Sequence, residues 1–139
     1  MRVMVIVKAT SDSEAGVTPT TELMEAMQRF NEALVEAGVM LAGEGLHPSS
    51  RGKRVIFEGT GREVVDGPFD ATEELVAGFW LWQVKDMEEA IVWARRCPNP
   101  MVGRGVLEIR PLFEMADFGD AMTPELADQE ERLRRKLEG

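Results

Sequence analysis

The order of strand-like and helix-like segments constrains the fold of this chain more than any other feature. A near-continuous apolar run at residues 2–8 predicts a first strand that is buried on both faces. A helix is then expected to begin with Thr18 as its N-cap and Pro19 as its first residue, and to end at Gly38. A second strand follows over residues 39–46. The helix would present one apolar face, formed by Leu23, Met27, Phe30, Leu34 and Ala37.

The same strand–helix–strand order returns in the second half of the chain. Residues 78–84 form a strongly apolar strand, Asp86 is placed to cap a second long helix, and a last strand is expected near residues 105–110. Between the two halves, residues 54–65 predict a β-hairpin with a glycine-containing turn. Two such halves predict a ferredoxin-like α+β sandwich with an inserted hairpin, in which two helices cover one face of one sheet.

The other face of this sheet also needs cover, because alternate strand residues are apolar. Phe79 and Leu81 are expected to point to one face, and Trp80 and Trp82 to the other. Two such sheets packed face to face in a symmetric dimer would bury the second face. The chain is therefore predicted to form a homodimer.

Net charge, the length of apolar runs and the number of cysteines limit the partners and the cellular compartment that this chain can have. The net charge of −9 argues against nucleic acid and against anionic membrane surfaces as partners. No apolar run approaches the roughly 20 residues that span a bilayer, and the apolar stretch at the N-terminus is shorter than the core of a signal peptide. Cys97 is the only cysteine, so an internal disulfide is impossible and a cytoplasmic location is expected. An idle or buried thiol is favoured over a catalytic one at this position.

The character of the sequence changes near residue 113. We therefore divide the chain into a domain at residues 1–112 and a C-terminal extension at residues 113–139 that contains a charged helix. Thr123-Pro124-Glu125 is typical of a helix start. This helix is expected to lie on its own protomer or on the dimer partner, and a helix that binds another protein is the alternative. Its apolar stripe consists of Leu126, Leu133 and Leu137.

The tetrapeptide Asp66-Gly67-Pro68-Phe69 joins the hairpin to a short helix. Each of the first three residues favours a turn. The Asp side chain can accept hydrogen bonds from nearby backbone amides, Gly tolerates a wide range of φ, and Pro fixes φ near −65°. Asp70 and Glu73 are expected to form the capping pair of the short helix.

Five short segments follow one another along the chain: Ala42-Gly43-Glu44-Gly45-Leu46, Asp66-Gly67-Pro68-Phe69, Glu74, Gly78-Phe79 and Glu108-Ile109-Arg110-Pro111. Together they resemble the YCII-related proteins that carry a DGPF motif. The resemblance implies a ferredoxin-like fold, a dimeric α/β-barrel assembly and, for some members, an association with extracytoplasmic-function sigma factors. The wider superfamily is suspected of catalysis by a His–Asp pair in a cleft.

Two departures from the family pattern bear on function. The suspected histidine of the simpler members lies in the first helix, at the position that Met27 occupies here. After the motif, Ala71 and Glu73 stand where many relatives have Glu and Lys. The second change reverses a charge beside the expected cleft, so an anionic family ligand would bind less well or be replaced by another.

Three residues are candidates for catalysis. His47 is the only histidine, and its reference pKa of about 6.5 suits a general base. Asp66 would orient His47, and Glu44 would act as an acid or as a ligand contact. Each also has a structural interpretation, as an exposed loop histidine, a turn-forming aspartate and an exposed strand glutamate.

Phe69, Glu74 and Trp80 are candidates for ligand binding. The aromatic side chains would line an apolar pocket, although packing in the core or in a dimer interface is favoured for them. The spacing of potential ligands predicts neither a metal site nor a cofactor. Two functions stay open: a cofactor-free enzyme of lyase or isomerase type, and a non-catalytic small-molecule-binding or regulatory module, for which the family resemblance implies a link to a sigma-factor pathway.

Overall fold

A four-stranded antiparallel sheet with the strand order β2-β5-β1-β6 forms the centre of the protein. The structure is a computed structural model that describes residues 1–70 and 72–139, with Glu73 described by its backbone alone. The strand order and the alternation with helices confirm the ferredoxin-like α+β class, and the sheet of the single chain is open. The strands are β1 (Arg2–Lys8), β2 (Met40–Gly45), β3 (Lys53–Glu58), β4 (Gly61–Asp66), β5 (Val76–Gln83) and β6 (Leu107–Pro111), and the helices are α1 (Ser11–Glu14), α2 (Thr21–Glu36), α3 (Met87–Arg96) and α4 (Pro124–Glu138).

Helix α2 begins later than the sequence predicts. Thr20, not Thr18, is its N-cap, and the Thr20 hydroxyl accepts a hydrogen bond of 3.2 Å from the Leu23 amide. That bond satisfies one of the amides that a helix start leaves unpaired, so the helix begins at Thr21 rather than at Pro19. The predicted end is confirmed, since Gly38 has a φ of +72°.

The core lies between the sheet and helices α2 and α3. Val3, Val5 and Val7 of β1 face it, while the alternate residues of β1 are only half-buried. The prediction that β1 is buried on both faces is therefore wrong for the single chain. On β5, Trp80 and Trp82 face the core and pack edge-to-face on Phe30 of α2, with ring centroids 5.8 and 6.3 Å from the Phe30 ring.

The opposite face of the sheet, here called the open face, is apolar at its centre. Met4 and Ile6 of β1 lie there beside Leu81 and Phe79 of β5, their cross-strand partners. All four are half-buried, which confirms the predicted alternation along β5.

The predicted hairpin is present as β3 and β4, paired from Lys53–Asp66 to Glu58–Gly61. All of its residues except Val65 are exposed. The predicted capping pair of Asp70 and Glu73 cannot be assessed, because the Glu73 side chain lies outside the described part of the chain.

Helix α4 starts as predicted, with Thr123 as N-cap and Pro124 in the first turn. Among the described residues, no helix is long and apolar enough to cross a bilayer.

Candidate functional site at one end of the sheet

Four segments meet where β1 and β2 end and β5 begins. We call this region, residues 8–14, 46–53, 66–69 and 72–75, the sheet-end junction. Its segments are joined by backbone hydrogen bonds of the Ala9 amide to the Leu75 carbonyl (2.9 Å) and of the Gly67 amide to the Gly52 carbonyl (2.9 Å). The Lys8 ammonium also donates to the Glu74 carbonyl oxygen at 3.1 Å. Five of the six predicted site residues lie in or beside this junction.

Ser49 connects three of these segments. Its amide donates to Oε2 of Glu14 at 2.9 Å, and its hydroxyl donates to Oε1 of the same carboxylate. The Ser49 hydroxyl oxygen also accepts a 3.0 Å bond from the Phe69 amide. The DGPF turn is thereby held to the 49–51 turn by a neutral hydrogen bond, and the 49–51 turn is held to α1 by charge-assisted bonds to the Glu14 carboxylate, which are stronger.

Gly67 of the motif packs directly against this turn. A Cβ atom at this position would lie 1.7 Å from the carbonyl oxygen of Ser49, so no residue larger than glycine fits without movement of the backbone. The following peptide bond, Gly67–Pro68, is cis. The first role of the motif in this fold is therefore to pack one turn on another.

His47 follows β2 and is exposed. Both of its ring nitrogens lie close to Nη1 of Arg51, Nε2 at 3.0 Å and Nδ1 at 3.2 Å. Asp66, the predicted orienting residue, is paired instead with the Lys53 ammonium at 2.5 Å, on an exposed surface. The partners that His47 and Asp66 have in the single chain are thus Arg51 and Lys53, and the predicted bond between His47 and Asp66 is not formed there.

Glu44 lies on the exposed edge strand β2, opposite Phe79 of β5. Its backbone passes close to β5, since a Cβ atom on Gly78 would lie 3.0 Å from the Glu44 carbonyl oxygen. The residue that this close backbone approach requires to be small is Gly78 of β5, whereas a Cβ atom on Gly45 would meet nothing within 4 Å. The register places Glu44 on the open face of the sheet with Phe79.

The three predicted ligand-binding residues occupy different environments. Phe69 is half-buried in the junction, and the Arg54 guanidinium lies 4.0 Å from its ring centroid. Glu74 is exposed at the junction. Trp80 is 6% exposed and its indole N–H donates to Oδ1 of Asn31 at 2.9 Å. In the single chain Trp80 is therefore a core residue, in the environment that the packing alternative expects.

The junction holds basic and acidic residues together. Its bases are Lys8, Arg51 and Lys53, with Arg54 at its border, and its acids are Asp12, Glu14, Asp66, Glu73 and Glu74. Each base has a neighbour: the Glu74 carbonyl for Lys8, the His47 ring for Arg51, the Asp66 carboxylate for Lys53 and the Phe69 ring for Arg54. Among the described residues Arg51 contacts an imidazole ring rather than a carboxylate, so its guanidinium keeps donors for an anionic group.

Metal and thiol chemistry find little support elsewhere in the described residues. No three His, Cys, Asp or Glu side chains within that part of the chain are grouped to hold a metal ion. Burial raises the pKa of the Cys97 thiol to about 11, so the thiol is protonated at neutral pH and a poor nucleophile.

Sequence reasoning missed Glu14, Ser49 and Arg51. The Glu14–Ser49 contact joins residues 35 positions apart, and no local pattern links an acid in a polar loop to a serine in a distant turn. Arg51 carried a weak signal, because it lies four residues after His47 in a turn-rich segment.

Comparison with known proteins gives two matches. The model of the YCII-related domain matches residues 1–116. An uncharacterized protein of Rhizobium meliloti (strain 1021) is 30% identical over 90 residues, which cover 65% of this chain and 73% of that protein.

Proposed function

Because this chain belongs to the YCII-related domain family, we propose that it is a small-molecule-binding protein that holds an anionic group of its ligand at the sheet-end junction. The observation that carries the proposal is the Arg51–His47 pair. A guanidinium can donate two parallel hydrogen bonds to a carboxylate or phosphate, and a histidine beside it can supply a further donor.

The geometry favours binding over catalysis by His47. A neutral imidazole acts as a base through the lone pair of one ring nitrogen. Arg51 can only donate hydrogen bonds, and its Nη1 lies within hydrogen-bond distance of both ring nitrogens, so whichever nitrogen holds the lone pair has a donor beside it. A carboxylate that holds the other ring nitrogen, the usual arrangement of a general base, is absent from the bonds of His47 within the described residues.

The ligand site belongs to a homodimer in this proposal. The open face exposes part of Met4, Ile6, Phe79 and Leu81, and a second copy of the sheet would bury them. Glu44 lies on the same face, so the partner sheet would cover it as well and bring it into the assembly beside the junction. A reducing cytoplasm suits a chain with one unpaired cysteine.

The test is calorimetric titration of the protein with inorganic phosphate and with a series of small mono- and dicarboxylates. We expect at least one of these anions to bind, and Arg51→Gln to weaken that binding by about tenfold or more, which corresponds to about 1.4 kcal/mol. Arg62→Gln is the matched control, because Arg62 lies at the hairpin turn, over the ring of Phe57. It should bind as the wild type does.

Two results would overturn the proposal. One is equal loss of affinity in both arginine variants, since that would reflect overall charge rather than a site. The other is turnover of a bound compound that His47→Asn abolishes while circular dichroism shows an intact fold, which would establish the enzymatic alternative.

A further inference from the structure

Helix α4 has an apolar stripe that its own chain leaves uncovered. Leu126, Leu133 and Leu137 are 48%, 58% and 88% exposed. A single helix of 15 residues is only marginally stable in water, and most helical stability in proteins comes from packing of the apolar face. The helix therefore needs a surface on which to dock.

The charge of α4 changes sign along its length. Its first half carries Glu125, Asp128, Glu130 and Glu131, and its second half carries Arg132, Arg134, Arg135 and Lys136, followed by Glu138 as the last residue of the helix. Glu130 pairs with Arg134 at 2.9 Å and Glu131 with Arg135 at 2.7 Å along the helix. Arg132 and Lys136 lie on the other flank of the leucine stripe, where a docked partner would meet them.

A groove between α2 and β2 offers the complementary surface. It has a volume of about 440 Å³ and is lined by Gln28, Asn31, Glu32, Val35, Glu36 and Met40. Val35 is 61% exposed, and Glu32 and Glu36 are exposed beside it. An apolar centre flanked by two carboxylates fits an apolar stripe flanked by two cations.

The two helices also match in length and spacing. On α2, Met24 and the groove residues Gln28, Asn31 and Val35 follow each other at steps of four, three and four, and α4 repeats these steps with Leu126, Glu130, Leu133 and Leu137. This is the spacing with which two helices interdigitate at a small crossing angle. Parallel alignment sets Arg132 and Lys136 against Glu32 and Glu36, whereas antiparallel alignment would bring the acidic half of α4 to these glutamates.

We propose that α4 of one protomer docks in the α2–β2 groove of a second copy of this chain, and that the second copy returns the same contact. The basic half of α4 is complementary in charge to Glu32 and Glu36 beside the groove, which supports α4 of a second copy as the segment that binds there. The contact is independent of the proposed anion site, because it involves none of the junction residues.

The test uses two charge-reversed proteins, a groove variant with Glu32→Arg and Glu36→Arg and a helix variant with Arg132→Glu and Lys136→Glu. Amide hydrogen exchange of residues 124–138 is measured for each variant alone and for an equimolar mixture. In the wild type we expect slowed exchange in α4, and in each variant alone we expect exchange at least tenfold faster, because like charges then face each other. In the mixture the reversed groove meets the reversed helix and the native groove meets the native helix, so protection should return.

The design separates contact between copies from contact within one chain. If α4 docked on its own chain, each variant would remain mismatched and the mixture would exchange like the separate proteins, which overturns the proposal. Unprotected amides in the wild type, or full protection in either variant alone, would overturn it as well. A control with Glu58→Arg and Glu63→Arg changes charge equally on the exposed hairpin and should leave α4 protected.

Discussion

Gly67 occupies a position where the backbone of another turn leaves no room for a side chain. A Cβ atom there would lie 1.7 Å from the Ser49 carbonyl oxygen. We expect Gly67→Ala to lower the free energy of unfolding by about 3 kcal/mol, the upper end for overpacking, because a backbone atom must move. Gly45→Ala is the control, since a Cβ atom at Gly45 meets nothing within 4 Å. Urea unfolding of both variants measures the difference, and equal stability of the two would contradict the role of Gly67.

Cys97 gives the protein a defined response to alkaline pH. Burial raises the pKa of its thiol from 9.0 to about 11 in the folded chain. Below pH 9 both states keep the proton and the stabilisation is complete. Between pH 9 and 11 the unfolded chain loses the proton more readily than the folded chain, so the stability contributed by the thiol falls as pH rises.

The prediction is checked by urea unfolding of the wild type and of Cys97→Ser at about pH 8 and about pH 10.5. The wild type should lose more stability than the variant between these two values. A parallel decline of both proteins would show that the thiol is as accessible in the folded chain as in the unfolded one.

Single residues also show where sequence reasoning ends. Turn chemistry at Asp66-Gly67-Pro68 is readable from residue types alone, and the tight packing at Gly67 agrees with it. The partners of His47 and Asp66 could not be predicted from the sequence, because they are the exposed side chains of Arg51 and Lys53. Nothing in residue types or spacing ranks such contacts.

At the scale of single elements, the sequence pattern and the structure place the N-cap of α2 at different residues. Thr18-Pro19 has the composition of a helix start, yet the Thr20 hydroxyl makes the capping bond. We expect Thr20→Ala to destabilise the protein by about 1 kcal/mol and Thr18→Ala to leave stability unchanged within error. Thermal unfolding of the two variants decides between the caps, and the reverse order would place the helix start where the sequence pattern put it.

The types and the order of the elements were predictable, because the apolar residues of each long element repeat with the spacing typical of a helix or of a strand. The 4–3 spacing of α2 and the alternation along β5 both appear in the burial of the folded chain, at Phe30 and Leu34 and at Trp80 and Trp82. Helix α1 was missed because it has only four residues, none of them apolar or buried. Its capping box, formed by Thr10 and Ser13, was the one available signal.

On the scale of the whole molecule, the prediction of a homodimer rests on the open face of the sheet. If two sheets pack through this face, Leu81→Arg should place a charge in the interface and shift the protein to monomer. Val92→Arg on α3 is the control, because Val92 is 60% exposed on the far side of the core. Sedimentation velocity at micromolar concentration measures both, and a Leu81→Arg variant that sediments as the wild type does would refute packing through this face.

The connection between β2 and β5 carries a further consequence of the fold. These two strands are antiparallel neighbours in the sheet, so a tight reverse turn would suffice to join them. Residues 46–75 instead form a long connection, which includes His47, Arg51, the hairpin and the DGPF turn. Substitutions and length changes in its exposed hairpin can therefore accumulate without disturbing the register of the sheet, whereas the packed turn at Gly67 tolerates little change. If the proposed anion site is correct, ligand preference can diverge among relatives while the sheet is retained, and the exposed hairpin is a suitable place to graft a new recognition loop.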